Sequence, residues 1–543
     1  MNIYETLYNT YVNAQKNNAD KIALFTREGE TVTHGRLLEE IDKTAAALLP
    51  YKTGDDFKVG IISTSSWEEA VFLLADNKIG AVSKFIDFSK NPVEMGKSIA
   101  ESSISVLVME SVFLRIEPFI NPSALPVIVL GEVSEKRPHY HTYKEFIEGA
   151  EIVNCPPAEY VENKCAVIIN SSGTTGVPKP IELGDSALNS AVHKLVSFGL
   201  NLTGSNMMLK NIPSHIGMGL ITTLYTCLIT GDILVFFPEN SPQESTECGL
   251  KKIIEFPNFV RENSFPNGTK LLLFAFPMFF RALLQFSNNL TDMSFIGCML
   301  AAGSAMSREE LEKMDAVFSE KGCEVPVLNG YGQNEMAGGV TMTGIHDNKR
   351  GSAGKPMVDT EIRVVDMNTL APLPNNSIGK ILERSNSLFI GYENMPERTI
   401  SSFITDENGD TWFDTNDLGY IDDDGFLFIT GRTSRVIIRF DVKVLLQTIE
   451  DKIRMSKYIK DAGVIAVRDY PYDTPVAFVI LKDEYIGANI VPDMIIDEIQ
   501  SGSNSLNDFE MVGKLFIVDA LPYLSSGKID YRALEKMAEE AAR

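Results

Sequence analysis

Residues 170–180 read Asn-Ser-Ser-Gly-Thr-Thr-Gly-Val-Pro-Lys-Pro and follow the apolar run Ala166, Val167, Ile168, Ile169. An apolar strand that empties into such a loop predicts a phosphate cradle. Gly173 and Gly176 lack Cβ and can turn successive N–H groups toward one anion. Ser171, Ser172, Thr174 and Thr175 add hydroxyl donors, and Lys179 adds charge. The loop is not a Walker A motif, which needs Gly-Lys followed by Ser or Thr, because Lys179 stands between Pro178 and Pro180. The same composition also makes an ordinary surface turn, so the rest of the chain has to decide.

A chain of 543 residues exceeds what one hydrophobic core serves, and at least two domains are expected. With 44% apolar and 22% charged residues the composition is that of a globular protein. The opening Met1-Asn2-Ile3-Tyr4-Glu5-Thr6 has neither a basic segment nor an apolar one, and the expectation is a soluble, cytoplasmic protein without integral membrane association. A net charge of -24 argues against a nucleic-acid partner gripped by its phosphates. Cys155, Cys165, Cys227, Cys248, Cys298 and Cys323 form no Cys-x-x-Cys pair, so reduced thiols, mostly in the core, are expected rather than a zinc site or disulfides. His139 and His141, in Pro-His-Tyr-His-Thr, suggest an exposed turn.

Short apolar runs alternate with helical patterns over the first 430 or so residues. Lys58 to Ile62, Val106 to Met109, Val127 to Leu130, Asp232 to Phe237 and Lys270 to Phe276 predict strands, and Glu68 to Lys78 a helix. The expected class is α/β: a large N-terminal domain, residues 1–433, of parallel-type sheets covered by helices. From about 355 to 433 shorter strands, as in Glu361 to Val365 and Gly379 to Leu382, predict a β-rich subdomain, with a turn at Asp422-Asp-Asp-Gly425. After Gly431-Arg432 the pattern shifts to a basic β run, Arg435 to Arg439, and then to a small α+β domain, residues 434–543.

Four further segments follow the opening loop. Asn329-Gly-Tyr-Gly-Gln-Asn-Glu335 offers glycines for close approach to a flat ligand, Tyr331 for stacking or for plain core packing, and Glu335 for a hard cation. Trp412-Phe-Asp-Thr-Asn-Asp-Leu-Gly419 places Asp417 before a turn, where a carboxylate can accept two bonds from a ribose diol. Gly431-Arg432 sits at the proposed boundary, and Pro522-Tyr-Leu-Ser-Ser-Gly-Lys-Ile-Asp530 puts Lys528 on a glycine-containing loop. Taken singly, Glu335, Asp417 and Lys528 read more readily as solvated or turn-forming side chains.

In this order the segments resemble the adenylate-forming superfamily of acyl-CoA synthetases, stand-alone adenylation domains and luciferases, over essentially the whole chain. Val32-Thr-His-Gly-Arg-Leu37, Pro213-Ser-His-Ile-Gly217, Ala301-Ala-Gly-Ser304 and Gly391-Tyr392 agree with it. The resemblance implies an enzyme that uses ATP and Mg²⁺ to convert a carboxylic acid into acyl-AMP and pyrophosphate, then forms a thioester with CoA. Ser171 to Lys179 would wrap the β- and γ-phosphates, with Thr174 and Glu335 toward Mg²⁺. Gly303, Ser304, Gly330, Tyr331, Gly332, Gln333 and Asn334 would line the nucleotide and acyl site, and His215 its wall. Asp417 and Arg432 would take the ribose, and Lys528 would bridge the acid and the α-phosphate. Ser434 would be the hinge of a mobile C-terminal domain.

Departures are concentrated in two places. Asn334 stands where the family usually has Thr, and an amide can still donate to a phosphate oxygen. Asp441 replaces a glycine beside the incoming pantetheine arm, adding bulk and charge in the thiol channel. An alternative is therefore a free-standing enzyme that loads the phosphopantetheine of a separate acyl carrier protein, and a second is a catalytically silent nucleotide-binding homologue. Pro213 to Gly219 carries no carboxylate for an α-amine, which favours an unsubstituted acyl or aryl acid.

Overall fold

Val106, Leu107, Val108, Met109 and Val127 to Leu130 are apolar at consecutive positions, and all are buried. A strand is apolar on both faces only when helices cover both sides of its sheet, and this protein is α/β. The computed structural model describes the chain apart from residues 65, 122–124, 134–138, 151–154, 172–178, 237–241, 264, 266–267, 305, 440–441, 470–471, 503–504, 525–527 and 542–543.

Among the described residues one sheet has eight strands, ordered Gly391–Tyr392, Pro180–Gly184, Cys165–Asn170, Val82–Phe85, Lys58–Ile62, Val106–Glu110, Val127–Leu130 and Tyr140–Thr142. It is parallel from Cys165–Asn170 to Tyr140–Thr142, and antiparallel at Pro180–Gly184 and Gly391–Tyr392. The reason for the reversal is length: 171–179 is too short for the crossover that parallel neighbours need. A second sheet, of nine strands, runs Lys355–Pro356, Gly338–Met342, Val327–Gln333, Ile296–Ala302, Leu271–Ala275, Met207–Leu209, Ile233–Val235, Ile22–Phe25 and Thr31–Thr33. Its centre is parallel and its edges antiparallel, so the expected parallel-type sheets are mixed ones.

Alternation within the central strands decides which helices they meet. Leu271, Leu273 and Ala275 pack with Phe279, Phe280 and Leu283 and with Leu311, Met314 and Phe318, the apolar stripes of helices Pro277–Gln285 and Arg308–Glu320. In the other sheet Leu107, Met109, Val127 and Val129 meet Met95, Ile99, Phe113 and Ile116. His139 and His141 are not both in a turn: Tyr140–Thr142 is an edge strand beside Val127–Leu130, entered through His139 at φ 68°. The thiols are free, but only Cys227, Cys298 and Cys323 are buried; Cys155, Cys165 and Cys248 are half-buried.

The chain falls into two compact units. The first combines residues 384–401 with most of the chain up to 361, and the second comprises 362–383 and 402–543. In the second, an antiparallel sheet pairs Gly379–Ser385, Phe403–Thr405 and Leu427–Arg432 with the long strand Thr411–Ile421. Beyond it Ile459–Asp469 and Tyr472–Leu481 form an antiparallel pair, and Lys514–Ile517 adds to the latter in parallel. Ala462, Val464, Ala477 and Val479 face helices Leu446–Arg454 and Pro492–Ser501, while Ile465, Val476 and Phe478 face Tyr531–Ala541. The period of two assigns each helix to its side.

One buried carboxylate ties the first unit's helices together. Asp185, at the start of helix Asp185–Ser197, accepts from Leu7 N–H at 3.1 Å and Asn77 Nδ2 at 2.7 Å. Burial pushes its pKa up to about 6, although Asn77, Leu7 and Lys164 favour the anion. The folded protein then holds more protons than the unfolded one between about pH 4 and 6, so stability falls as pH rises through that window. Asp185→Asn keeps an acceptor without the charge. The wild-type unfolding free energy minus that of D185N should decline by up to about 2 kcal/mol from pH 4.5 to 7.5 in urea titrations; a constant difference would refute the assignment.

Candidate functional site

The hydroxyl-rich loop leaves the sheet from Asn170 and rejoins it at Pro180, which are register partners. Ser171 N–H donates to the Lys179 carbonyl at 2.8 Å, and Lys179 N–H donates to Ser171 Oγ at 2.9 Å. These reciprocal bonds close the mouth of the hairpin. Ser172, Gly173, Thr174, Thr175 and Gly176 lie outside the described residues.

Antiparallel pairing of Tyr392 with Ile181 brings the phenol under Lys179. Lys179 Nζ stands 4.5 Å from the centroid of the Tyr392 ring and 3.5 Å from its Oη, a contact in which the ring face attracts the ammonium. The hydroxyl donates to Glu335 Oε1 at 3.0 Å. Glu335 lies in the single turn Asn334–Met336 after strand Val327–Gln333, and its carbonyl accepts from Phe389 N–H at 2.8 Å. It is 8% exposed, and among the described residues no Lys or Arg pairs with it. A nearly buried carboxylate held by one neutral donor suits a hard cation, whose preferred ligands are oxygen atoms. Among the described residues no group of three or more His, Cys, Asp or Glu could hold a metal, so substrate or water oxygens would complete the shell of a Mg²⁺ ion here.

Asn334 does more than replace a hydroxyl. Its Nδ2 donates to the Asn170 carbonyl at 2.7 Å, and its Oδ1 accepts from Gly217 N–H at 3.2 Å. One amide joins the root of the loop to the segment that carries His215. One Nδ2 proton remains for other acceptors. A Cβ on Gly217 would stand 2.8 Å from Asn334 Oδ1, so the close approach requires glycine there.

His215 is 7% exposed, edge-on to Phe88 at 4.8 Å between centroids, with Nε2 3.5 Å from Asp87 Oδ1. Burial lowers its pKa, outweighing Asp87, and Lys210 adds to the lowering. The lowered pKa favours the neutral ring at pH 7, and its buried Nδ1 has no hydrogen-bond partner among the described residues. Gly303 and Ser304 follow strand Ile296–Ala302, whose Ala302 pairs with Gly330 of the neighbouring strand. Gly303, Gly330, Tyr331, Gly332 and Gln333 thus share the carboxyl ends of two parallel strands, the edge where open α/β sheets take ligands. Gly303 has φ 97°, and its Cβ would meet Phe276 Cδ1 at 2.8 Å. Tyr331 is half-buried and receives Gln333 Nε2 at 3.4 Å on its hydroxyl.

In the second unit Asp417 and Arg432 are cross-strand partners, with Nε 2.9 Å from Oδ1. Asp417 is 4% exposed, and its N–H donates to Thr415 Oγ1 at 3.0 Å. Ser434 occupies the turn Thr433–Arg435 directly after that strand. Lys528 is half-buried, and its carbonyl accepts from Leu524 N–H at 2.7 Å. Asp441 lies outside the described residues. Two participants were underread in the sequence. Tyr392 enters only as part of Gly391-Tyr392, and Asp87 only as the end of the stretch Leu74 to Asp87 that agrees with the family, without its pairing to His215.

The family model described as AMP-binding enzyme matches residues 11–393. The chain is 25% identical over 510 residues to 4-coumarate–CoA ligase 5 of Oryza sativa subsp. japonica, covering 92% of this chain and 88% of that protein. Its fold is shared with ATP-bound MatB from Rhodopseudomonas palustris, at TM-score 0.83 and 22% identity over 99% of this chain and 100% of that one. It is shared equally with the anthranilate CoA ligase AuaEII in complex with anthranoyl-AMP, at TM-score 0.82 and 21% identity over 100% and 99%.

Asn334→Ala would strip Asn170 O and Gly217 N–H of their partner, at a cost of about 1–3 kcal/mol. Urea unfolding of N334A should register that loss, whereas an unchanged midpoint would show that the amide bridges nothing of consequence.

Proposed function

The chain belongs to the family of AMP-binding enzymes, and we propose that it activates a carboxylic acid with ATP and passes the acyl group to the thiol of CoA. The observation that carries this reading is the Lys179, Tyr392, Glu335 arrangement at the mouth of the loop. It sets an ammonium and a buried carboxylate, with no ion pair among the described residues, near Asn170 and Pro180, between which the hydroxyl-rich sequence runs. The names of the relatives, ligases that form CoA thioesters, support the choice of acceptor.

In the first step a carboxylate oxygen of the acid attacks the α-phosphorus of ATP, the bond to the bridging oxygen breaks, and pyrophosphate leaves. Charge accumulates on the transferring group, so positioning and countercharge are the catalytic resources. Ser171 and Lys179 would grip the departing phosphates. Asp417 would accept from the ribose hydroxyls while Arg432 holds the carboxylate, and Lys528 would neutralise charge between the acid and the α-phosphate. Glu335, with Thr174, would hold Mg²⁺, which when bound offsets phosphate charge. In the second step the thiol sulfur attacks the acyl carbon and AMP leaves.

The acid class follows from the segment around His215. Its ring is neutral, buried and edge-on to Phe88, and Asp87 is engaged by His215 and by Ser89 N–H at 2.9 Å. An uncharged acyl or aryl tail fits such surroundings, and an α-ammonium does not.

Pyrophosphate release should appear when ATP and Mg²⁺ are added with one or more members of a panel spanning benzoate, 4-coumarate, hexanoate and octanoate, and CoA should be consumed in proportion. Acyl-AMP that builds up with CoA untouched would transfer the reading to a carrier-bound thiol. ATP binding without pyrophosphate from any acid would end the enzyme reading. Lys528→Ala should lower adenylation by roughly 10²-fold, the loss typical of one preorganised charge donor, while leaving consumption of synthetic acyl-AMP by CoA within about twofold.

A further inference from the structure

Lys528 stands at one end of a loop whose two ends, among the described residues, are joined to each other by backbone bonds. Tyr523 and Ile529 form an antiparallel bridge, Leu524 N–H donates to Lys528 O at 2.7 Å, and Asp530 N–H donates to Pro522 O at 2.8 Å. These bonds close the loop on itself. Among the contacts that reach outward, Ile529 is buried with Ile465, Phe478 and Leu534, and the Tyr523 hydroxyl donates to Asp461 Oδ2 at 2.6 Å even though its ring is 48% exposed.

Asp461 continues the connection. Its Oδ1 accepts from Arg454 Nε at 2.8 Å, and Arg454 also donates to Ala462 O at 2.7 Å and pairs with Glu450 Oε1 at 2.8 Å. The Arg454 guanidinium and the Tyr523 hydroxyl outweigh burial and hold Asp461 below the usual carboxylate range. Glu450, with a side chain 1% exposed, receives Arg435 on Oε2 at 2.8 Å and Val464 N–H at 3.0 Å. Arg435 lies 3.8 Å over the Tyr531 ring and donates to the Tyr531 hydroxyl at 2.7 Å and to Val464 O at 2.8 Å. Arg435 follows Ser434 directly in the chain.

We propose that Tyr523, Asp461, Arg454, Glu450 and Arg435 act as a strut that fixes the Lys528 loop to the residue following Ser434, making Tyr523 and Asp461 positioning residues for adenylation; this rests on the role of Lys528 given above. The physical case is one of stiffness. A lysine side chain is long and rich in rotamers, and a root that drifts multiplies the positions its ammonium samples. Charge-assisted bonds are short and directional, and this run leads from the buried Glu450 out to the half-exposed Tyr523, so the strut passes the orientation set at Arg435 to the loop. Any rotation about Ser434 is then delivered to Lys528 without slack. A strut of purely structural value would stabilise this unit and affect every reaction step alike.

The test separates the two half-reactions. Tyr523→Phe deletes one hydroxyl, and Asp461→Asn removes the charge on which both neighbours converge. With the acid that yields pyrophosphate in the panel above, both variants should lower ATP–pyrophosphate exchange roughly tenfold, the effect of one hydrogen bond to a charged group. Reaction of the matching synthetic acyl-AMP with CoA should stay within about twofold of wild type. Independently of any acid, trypsin should cut after Lys528 at least about threefold faster in Y523F and D461N, because a released loop is the better substrate. Exchange that falls in Lys528→Ala but not in Y523F or D461N, or cleavage that does not quicken, overturns the strut while leaving the lysine's role intact. Parallel losses in both half-reactions overturn it in favour of a structural part. Exchange unaffected by Lys528→Ala removes the lysine's role and the strut with it.

Discussion

The pairing of Cys165–Asn170 with Pro180–Gly184 is the constraint on which the first unit's site depends. It forces the intervening residues to leave and re-enter the sheet a single strand apart. The returning strand then takes Gly391–Tyr392 as its outer neighbour, and Tyr392 carries Glu335 on its hydroxyl. Asn334, one residue earlier, grips Asn170 at the root of the same hairpin. Segments separated by more than two hundred residues are thus referred to one pair of strands, and Lys179 keeps its place because both its neighbours in space are held there.

Charge is handled differently in the two units. In the first, Glu335 is kept from neutralisation: its donor is a neutral phenol, and the nearby ammonium lies against the face of that phenol's ring. A direct ion pair at this place would have to be broken before a new ligand could use either partner, at a cost set by desolvation. In the second unit Asp417 is held by Arg432 and Glu450 by two arginines. The first arrangement leaves a buried carboxylate without an ion pair among the described residues, and the second fixes its carboxylates in place.

How much of this was legible in the sequence depended on whether a feature was local. Lys58–Ile62, Val106–Glu110 and Val127–Leu130 were visible because strands buried on both faces are uninterrupted apolar runs. The alternation in Gly379–Ser385 and the aspartate turn at 422–425 were equally plain. The antiparallel edges were not, since Pro180–Gly184 and Gly391–Tyr392 have no composition that tells direction. Motif order pointed to Glu335, Asp417, Arg432 and Lys528 as candidates. It gave Tyr392 only beside Gly391, without its contacts to Lys179 and Glu335, and not the task of Asn334, whose amide serves two backbone groups. Arg435 read as one more residue of a basic β run, because its partners Glu450, Val464 and Tyr531 come from three later elements.

The hairpin Ile459–Leu481 has a further consequence, in time rather than in space. Its two strands pair over nearly their whole length and are neighbours in the sequence, and helices close in sequence cover both faces. The two large sheets, by contrast, set Ile22–Phe25 beside Ile233–Val235 and Cys165–Asn170 beside Val82–Phe85. Local pairings close quickly and distant ones slowly, because loop entropy is lost before any contact compensates for it. The hairpin is therefore the quicker to fold, and the two large sheets, made before it, wait for their partners with strand edges open. During synthesis exposure to aggregation and to chaperones falls on those sheets.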